Sequence, residues 1–392
     1  MKVTILRSSF QTDEFVWNEY AELIGRLKNE CQAEIQINDN NLSEVVMIAT
    51  GGVENLFKTQ FTGKGPVTLI ADGRNNSLAA ALEILTWLEG QGIEGRILHG
   101  TVDEIIHGVA AARLSTSLKA RIGLFGQPSD WLIASGVDRD YLLEHFGVET
   151  IDIDLQRLID GIKAVPQTDA VKVAQTIVKR CVDTIEPTCA DMVEAAKAYL
   201  AIKKICQEKR LDAITIRCFD IVNTCGTTSC LALALLNDEG IVAGCEGDMQ
   251  TLMSMLLVKR LRGAVAFMAN PSQLTKHFTM LAHCTIPLTM CDDFTVRSHF
   301  ESGIGVAIQG VMPLTDYTVF KWGGPKLDRY FVTEAQAVEM PYSNHFCRTQ
   351  ITLNVDLRPY LLQHSIGNHH VIIKGRHAEA IREAMKKLKA ES

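Results

Sequence analysis

The chain has 392 residues, 47% hydrophobic and 22% charged, with a formal net charge of −7. That is long enough for two or three buried cores and ordinary for a globular protein. Acidic and basic residues are interspersed with no long basic block, which argues against nucleic-acid binding, and no apolar run approaches the ~20 residues that span a bilayer. The opening Met-Lys-Val-Thr-Ile-Leu reads as a strand, not as a secretion signal, so a cytoplasmic protein is expected. Eleven cysteines without CxxC pairs predict reduced, mostly buried thiols, and give no spacing signal for a thiolate zinc site.

The apolar runs Val45–Thr50 and Pro66–Ala71 end at Gly51-Gly52 and Asp72-Gly73. Such runs suit buried parallel strands. The stretch from Leu78 to Leu88 is a strong helix former, with Asn or Ser before it as N-cap. A second unit begins near Leu118. Its predicted elements are strands at Arg121–Phe125 and Glu149–Ile153, a loop from Gly126 opening a helix at Trp131, and long helices over Thr168–Lys209. A strand at Ala213–Phe219 follows. Met249, Leu252, Met253, Leu256 and Leu257 then mark one face of a helix. After Gly263 the pattern changes to short β pieces at Ala264–Met268, Gly305–Gln309, Tyr317–Lys321, Gln350–Val355 and Val371–Lys374, and a last helix starts near Ala378. The sum is an α/β chain: two N-terminal Rossmann-like α/β domains, at 1–117 and 118–262, then a β-rich, barrel-like domain at 263–392.

The candidates for chemistry lie in the second half. Glu246 stands before a helix, where the dipole favours an ionised carboxylate, and Asp248 is the natural N-cap. Both acids also read simply as caps. Asn270, before Pro271, reads alone as a turn residue. Alternation in Arg297-Ser-His-Phe-Glu puts Arg297, His299 and Glu301 on one strand face, which is either a solvated face or a site. His283 stands in Ala-His-Cys-Thr. His369 and His370 adjoin a Val-Ile-Ile strand, so one of the two is expected to point inward.

Six motifs in order carry a resemblance: Ala-Gly-Cys-Glu-Gly-Asp-Met, Phe-Met-Ala-Asn-Pro, Leu-Ala-His-Cys-Thr-Ile-Pro, Ser-His-Phe-Glu-Ser-Gly-Ile-Gly-Val, Cys-Arg-Thr-Gln-Ile and Gly-Asn-His. From about Thr215 to Gly375 the chain resembles the L-fucose isomerase-like superfamily and, more distantly, L-arabinose isomerases. In the N-terminal half Ala-Thr-Gly-Gly and Asn-Asn-Ser-Leu-Ala-Ala-Ala-Leu-Glu are also similar. The resemblance implies the same fold order, a homo-oligomer (trimer or hexamer) whose site a neighbouring subunit completes, and a divalent ion. That ion is typically Mn²⁺, with Co²⁺ or Mg²⁺ as substitutes. Glu246 matches the family's glutamate ligand, and His369 its histidine, with His370 second. The family's aspartate falls on Asn270, whose carbonyl oxygen ligates a hard cation but cannot act as a base.

The implied reaction is aldose–ketose isomerisation of a hexose, deoxyhexose or pentose through a cis-enediol. It needs a proton shuttle and polarised oxygens. Glu246 and Glu301 are the candidate catalytic pair, with Asp248 in reserve. Glu246, Asn270 and His369 are the candidate ligands, and His283 and His299 would bind sugar hydroxyls. Arg74, Arg217, Arg297 and Arg348 would recognise an anionic substituent, as on sulfoquinovose. The loss of the family acid at 270 leaves a second reading, a catalytically silent sugar-binding or regulatory relative.

Overall fold

A computed structural model describes residues 1–63, 65–113 and 118–390. Two compact units divide the chain, Met1–Ser115 and Thr116–Ser392. The border expected after residue 117 falls outside the described residues. Residues 118–262 and 263–392 belong to the one larger unit.

The first unit is a parallel sheet. Its strands are β1 (Lys2–Leu6), β2 (Glu34–Ile37), β3 (Val45–Ile48), β4 (Val67–Ile70) and β5 (Gly95–Leu98), in the order β2-β1-β3-β4-β5. Val3, Ile5 and Met47 face one apolar core, and Leu6, Val46 and Leu69 face another. Both faces are thus covered, which is why these strands read as unbroken apolar runs. The predicted helix spans Ser77–Gly90. Its cap departs from expectation: Asn76 is left-handed and makes no side-chain cap bond, and Ser77 Oγ instead accepts from the Gly73 amide at 3.0 Å.

The second unit opens with β6 (Ala120–Phe125), β7 (Val148–Ile153), β8 (Ala213–Ile216) and β9 (Val242–Cys245), parallel in the order β7-β6-β8-β9. Two expectations fail here. The loop after β6 does not open a helix at Trp131; it runs on to Arg139, where Asp138 caps the next helix. The strand predicted to reach Phe219 ends at Ile216, and Cys218–Cys225 is helical.

The remaining strands are β10 (Phe267–Leu274), β11 (Thr279–His283), β12 (Asp293–Arg297), β13 (Ala307–Val311), β14 (Asp316–Gly323), β15 (Arg329–Glu339), β16 (Thr349–Leu353) and β17 (His370–Lys374). Six of them close an antiparallel barrel, β10-β11-β16-β15-β14-β17, and β12 with β13 forms a separate ribbon. Asn270 is not a turn residue. It lies inside β10, paired with Ala282, and the register shifts only after Pro271. A proline with no amide to donate sits where the ladder is already interrupted.

The ribbon corrects another expectation. β12 ends at Arg297, and His299 and Glu301 lie in the turn beyond it, so the three do not share a strand face. Arg297 serves the fold. It binds the Glu186 carboxylate, donates to Gln309 Oε1 at 2.9 Å, and stacks on Tyr342. Residues 182–185 hydrogen-bond along β12, which brings Glu186 to it. The hydrogen bonds from Arg297 hold Glu186 down at about 2. An acid lowered in the folded state stabilises above its ordinary value of 4.5 and loses that contribution as pH falls toward 2. Glu186→Gln is therefore expected to cost about 1 kcal/mol at pH 7, discounted for the carboxylate's partial exposure. The gap to wild type in urea melts should close progressively below pH 4.5. A gap unchanged at acid pH would reject the ion pair as its source.

The helix Met249–Arg262 packs on β8 and β9 and also on β14 and β17. From Met249 to Val258 it is buried all round and not on one face, so its polar residues there must find internal partners. Gln250 donates to the carbonyls of Ala134 and Gly136, and Ser254 Oγ accepts from the Trp322 amide. Met249, Met253 and Met255 fill the core around it. None of the eleven cysteines is in a disulfide; Cys31, Cys206, Cys218, Cys230, Cys245 and Cys284 are buried. No helix among the described residues is long and apolar enough to cross a membrane.

Candidate active site

Glu246 leaves β9 in a turn that its neighbours force. Glu246 and Gly247 have φ of 63° and 79°, and the Asp248 amide closes on the Cys245 carbonyl at 3.2 Å. Positive φ at both central residues is the geometry of a type I′ turn, costly for glutamate and easy for glycine. Gly247 has a second constraint: a Cβ there would lie 2.5 Å from Pro128 Cα. Gly247→Ala is expected to cost about 1–3 kcal/mol and to loosen the Glu246 turn. A thermal melt matching wild type would show that the backbone there is not constrained.

Asp248 is fully buried and does two things. Oδ1 caps the helix by accepting from the Thr251 amide at 2.8 Å. Oδ2 faces His369 Nδ1 at 3.0 Å, Thr251 Oγ1 at 2.7 Å and Lys321 Nζ at 3.6 Å. Burial pushes this carboxyl up, but Lys321 and His369 outweigh it and keep it ionised well below the usual range.

His369 is consequently aimed. Asp248 occupies Nδ1, so Nε2 points at Glu246 Oε1, 3.6 Å away. That exceeds a hydrogen bond, and Nε2 is buried with no hydrogen-bond partner. Burial pulls this imidazole down, but the two carboxylates raise it to about 9. A carboxylate behind one nitrogen and an unfilled nitrogen in front is the arrangement that orients a metal-ligating histidine. On its other oxygen Glu246 accepts from Trp131 Nε1 at 2.6 Å. Burial raises Glu246, yet His369, His283 and Trp131 together bring it to about 2.

Both adjacent histidines are buried, where one was expected to be. His370 has no free nitrogen, since Tyr360 Oη and the Asn368 carbonyl take both at 2.9 Å. Asn270 adjoins the centre through Asn368, whose Nδ2 donates to Asn270 Oδ1 at 3.2 Å. His283 ends β11; its ring centroid is 5.5 Å from that of His369, and its Nδ1 is engaged by Thr285 Oγ1 at 2.9 Å. Burial drops His283 to about 3, so it is neutral. His299 meets Phe219 edge-on, Phe219 meets Trp131 the same way, and Trp131 returns to Glu246. Burial and then Arg348 lower His299 as well. Glu301 stands exposed in the turn beyond, raised by partial burial and by the charge of Glu246.

The four arginines divide. Arg74 belongs to the first unit, bound to Asp72 and Glu19 and stacked on Tyr20. Arg297 is tied to Glu186. Arg217 pairs with Asp130 and Asp220. Arg348 is buried and, among the described residues, its side chain hydrogen-bonds neutral groups, the carbonyl and hydroxyl of Ser298 and the Tyr342 hydroxyl, while its charge also helps to lower Glu186. Trp131 and Lys321 carry no sequence signal for this centre. Their roles come from elements far apart in the chain.

No protein-family profile matches the chain. Distant relatives do. The sulfoquinovose isomerase of Alkalicoccus urumqiensis is 23% identical over 279 residues, covering 67% of this chain and 62% of that one. The sulfoquinovose isomerase of Priestia megaterium is 23% identical over 287 residues, covering 69% and 64%. That of Clostridium sp. (strain MSTE9) is 28% identical over 228 residues, covering 54% and 49%. The aligned region spans less than two thirds of these curated relatives. Fold and similarity together define a mixed α/β protein with parallel sheets and a closed six-stranded barrel, distantly related to sugar isomerases.

Proposed function

We propose that this protein is a metal-dependent aldose–ketose isomerase that works through a cis-enediol on an anionic hexose of the sulfoquinovose kind. One observation carries the metal-centre reading: the buried, unpartnered Nε2 of His369, held toward Glu246 by Asp248. The names of the distant relatives support the substrate class. Glu246 and His369 would hold a divalent ion, with Asn270 adding a carbonyl oxygen. Such an ion, Mn²⁺ in the family resembled, supplies Lewis-acid polarisation of the two adjacent substrate oxygens.

The chain's own residues supply the rest. Glu246 is held low by the nearby His369 and His283 and by the Trp131 hydrogen bond, which makes it a poor base, whereas the raised, accessible Glu301 suits the proton transfer between C2 and C1. His299 and the edge formed by Trp131 and Phe219 offer a polar and an apolar contact for a sugar. Arg348, whose hydrogen-bonding partners are neutral, is the best-suited recogniser of the anionic group. A trimer or hexamer with a shared site is part of this proposal, by resemblance.

NMR of a panel of neutral and sulfonated sugars in D₂O tests it. Metal-dependent deuterium incorporation at C2 or C1 is expected, greatest with the sulfonated hexose. Binding without exchange would instead support the catalytically silent relative.

A further inference from the structure

Two thiols adjoin the Glu246 turn. Cys245 is the last residue of β9, and Cys218 opens the helix Cys218–Cys225 that follows β8. β8 and β9 are parallel neighbours with Ile216 opposite Cys245, so the two chain segments leave the sheet side by side. The two sulfurs lie 3.0 Å apart, and the residues are buried, at 5% and 3% exposure. A disulfide bond is ~2.05 Å long, so about 1 Å of further approach would close one. The pair is placed to act on its neighbours. Cys245 runs directly into Glu246, and its carbonyl closes the turn that gives Glu246 a positive φ. Cys218 runs directly into Phe219, which packs edge-on against Trp131, the donor to Glu246 Oε2. One bond between the sulfurs would therefore pull on both supports of that carboxylate.

We infer that Cys218 and Cys245 are an oxidation site, which a peroxide converts to a reversible disulfide that draws Glu246 out of position. The two sulfurs give up two electrons and join as the O–O bond of hydrogen peroxide breaks. Both S–H protons pass to the oxygens, which leave as two waters. A dithiol reverses the step by thiol–disulfide exchange. Glu246 and Trp131 are partly open to solvent, which gives a molecule as small as peroxide a way in. The effect on the centre rests on the proposed metal-dependent function; the sulfur–sulfur bond does not. Sequence spacing cannot signal this pair, because its thiols come from the ends of different strands.

The test is peroxide treatment of the full chain, followed by blocking of the remaining thiols, digestion and mass mapping. A peptide joining Cys218 to Cys245, two hydrogens lighter than the reduced pair and cleaved by dithiothreitol, is expected. Oxidised protein should bind Mn²⁺ about tenfold or more weakly by calorimetry and recover on reduction. Cys218→Ala should keep its Mn²⁺ affinity under the same oxidant. Cys284 and Cys347 also pack together, so a bond between those two instead overturns the inference. So does a map in which Cys218 and Cys245 stay unjoined. Either result leaves the proposed function standing. The expected bond with unchanged Mn²⁺ affinity overturns the link to the centre. Reduced protein that binds no divalent ion overturns the proposed function, and the peptide map still decides the oxidation site. The wild-type map is decisive even where Cys218→Ala does not fold.

Discussion

Glu246→Gln is expected to lower turnover on the responsive sugar by on the order of 10³-fold or more while leaving the fold intact. The amide matches the carboxylate in shape and still accepts from Trp131 Nε1, the 2.6 Å contact that orients it. His369 keeps its Asp248 partner, so the ring stays aimed. What is lost is negative charge between His369 and His283, the charge an ion requires there. Divalent-ion binding should fall with turnover, read by calorimetry on the same samples, and the thermal midpoint should change little. Wild-type turnover in the variant would remove Glu246 from the chemistry. Loss of turnover with unchanged ion binding would move the ion elsewhere and leave Glu246 a direct role in proton transfer.

How much of this centre is legible in the sequence depends on where its contacts come from. β3, β4 and β6 are legible because both faces of a parallel sheet are covered and the apolar run is continuous. β15 is not, because its eleven residues mix Arg, Thr, Glu and Gln at partly buried barrel positions with no clean alternation. β10 is half legible: Pro271 signals a stop, but the barrel absorbs it in a bulge and the strand continues. The central helix shows the limit of periodicity. Met, Leu and Val mark an apolar face, yet Gln250, Thr251 and Ser254 are buried too because loops and β14 supply their partners. Glu246 and His369 stand out through the motifs around them. The reason His369 is aimed, Asp248, reads only as a helix cap, and it is one. Its second role appears when β17 is brought beside the helix.

The same buried group yields the largest expected stability effect. Lys321 has a fully buried side chain, with Nζ 2.6 Å from Thr251 Oγ1 and 3.6 Å from Asp248 Oδ2. Burial pulls its amine below the ordinary value and Asp248 only partly restores it, so the ammonium is held by that one carboxylate. Lys321→Met keeps the volume and removes the charge. Asp248 is then buried with Thr251 and His369 alone, and an interior carboxylate that has lost one of its two cationic partners is costly. A loss of about 3–5 kcal/mol in denaturant unfolding is expected. The double variant Lys321→Met with Asp248→Asn should recover a large part of it, since removing both charges leaves neither stranded. The two variants also separate stability from orientation. The single variant keeps the carboxylate behind His369 Nδ1, whereas the double variant replaces it with an amide and should weaken ion binding even where the fold recovers. A single-variant loss under about 1 kcal/mol would mean that Thr251 and His369 satisfy Asp248 by themselves, and that Lys321 fills space on the helix side of β14 without holding the charge network behind the histidine.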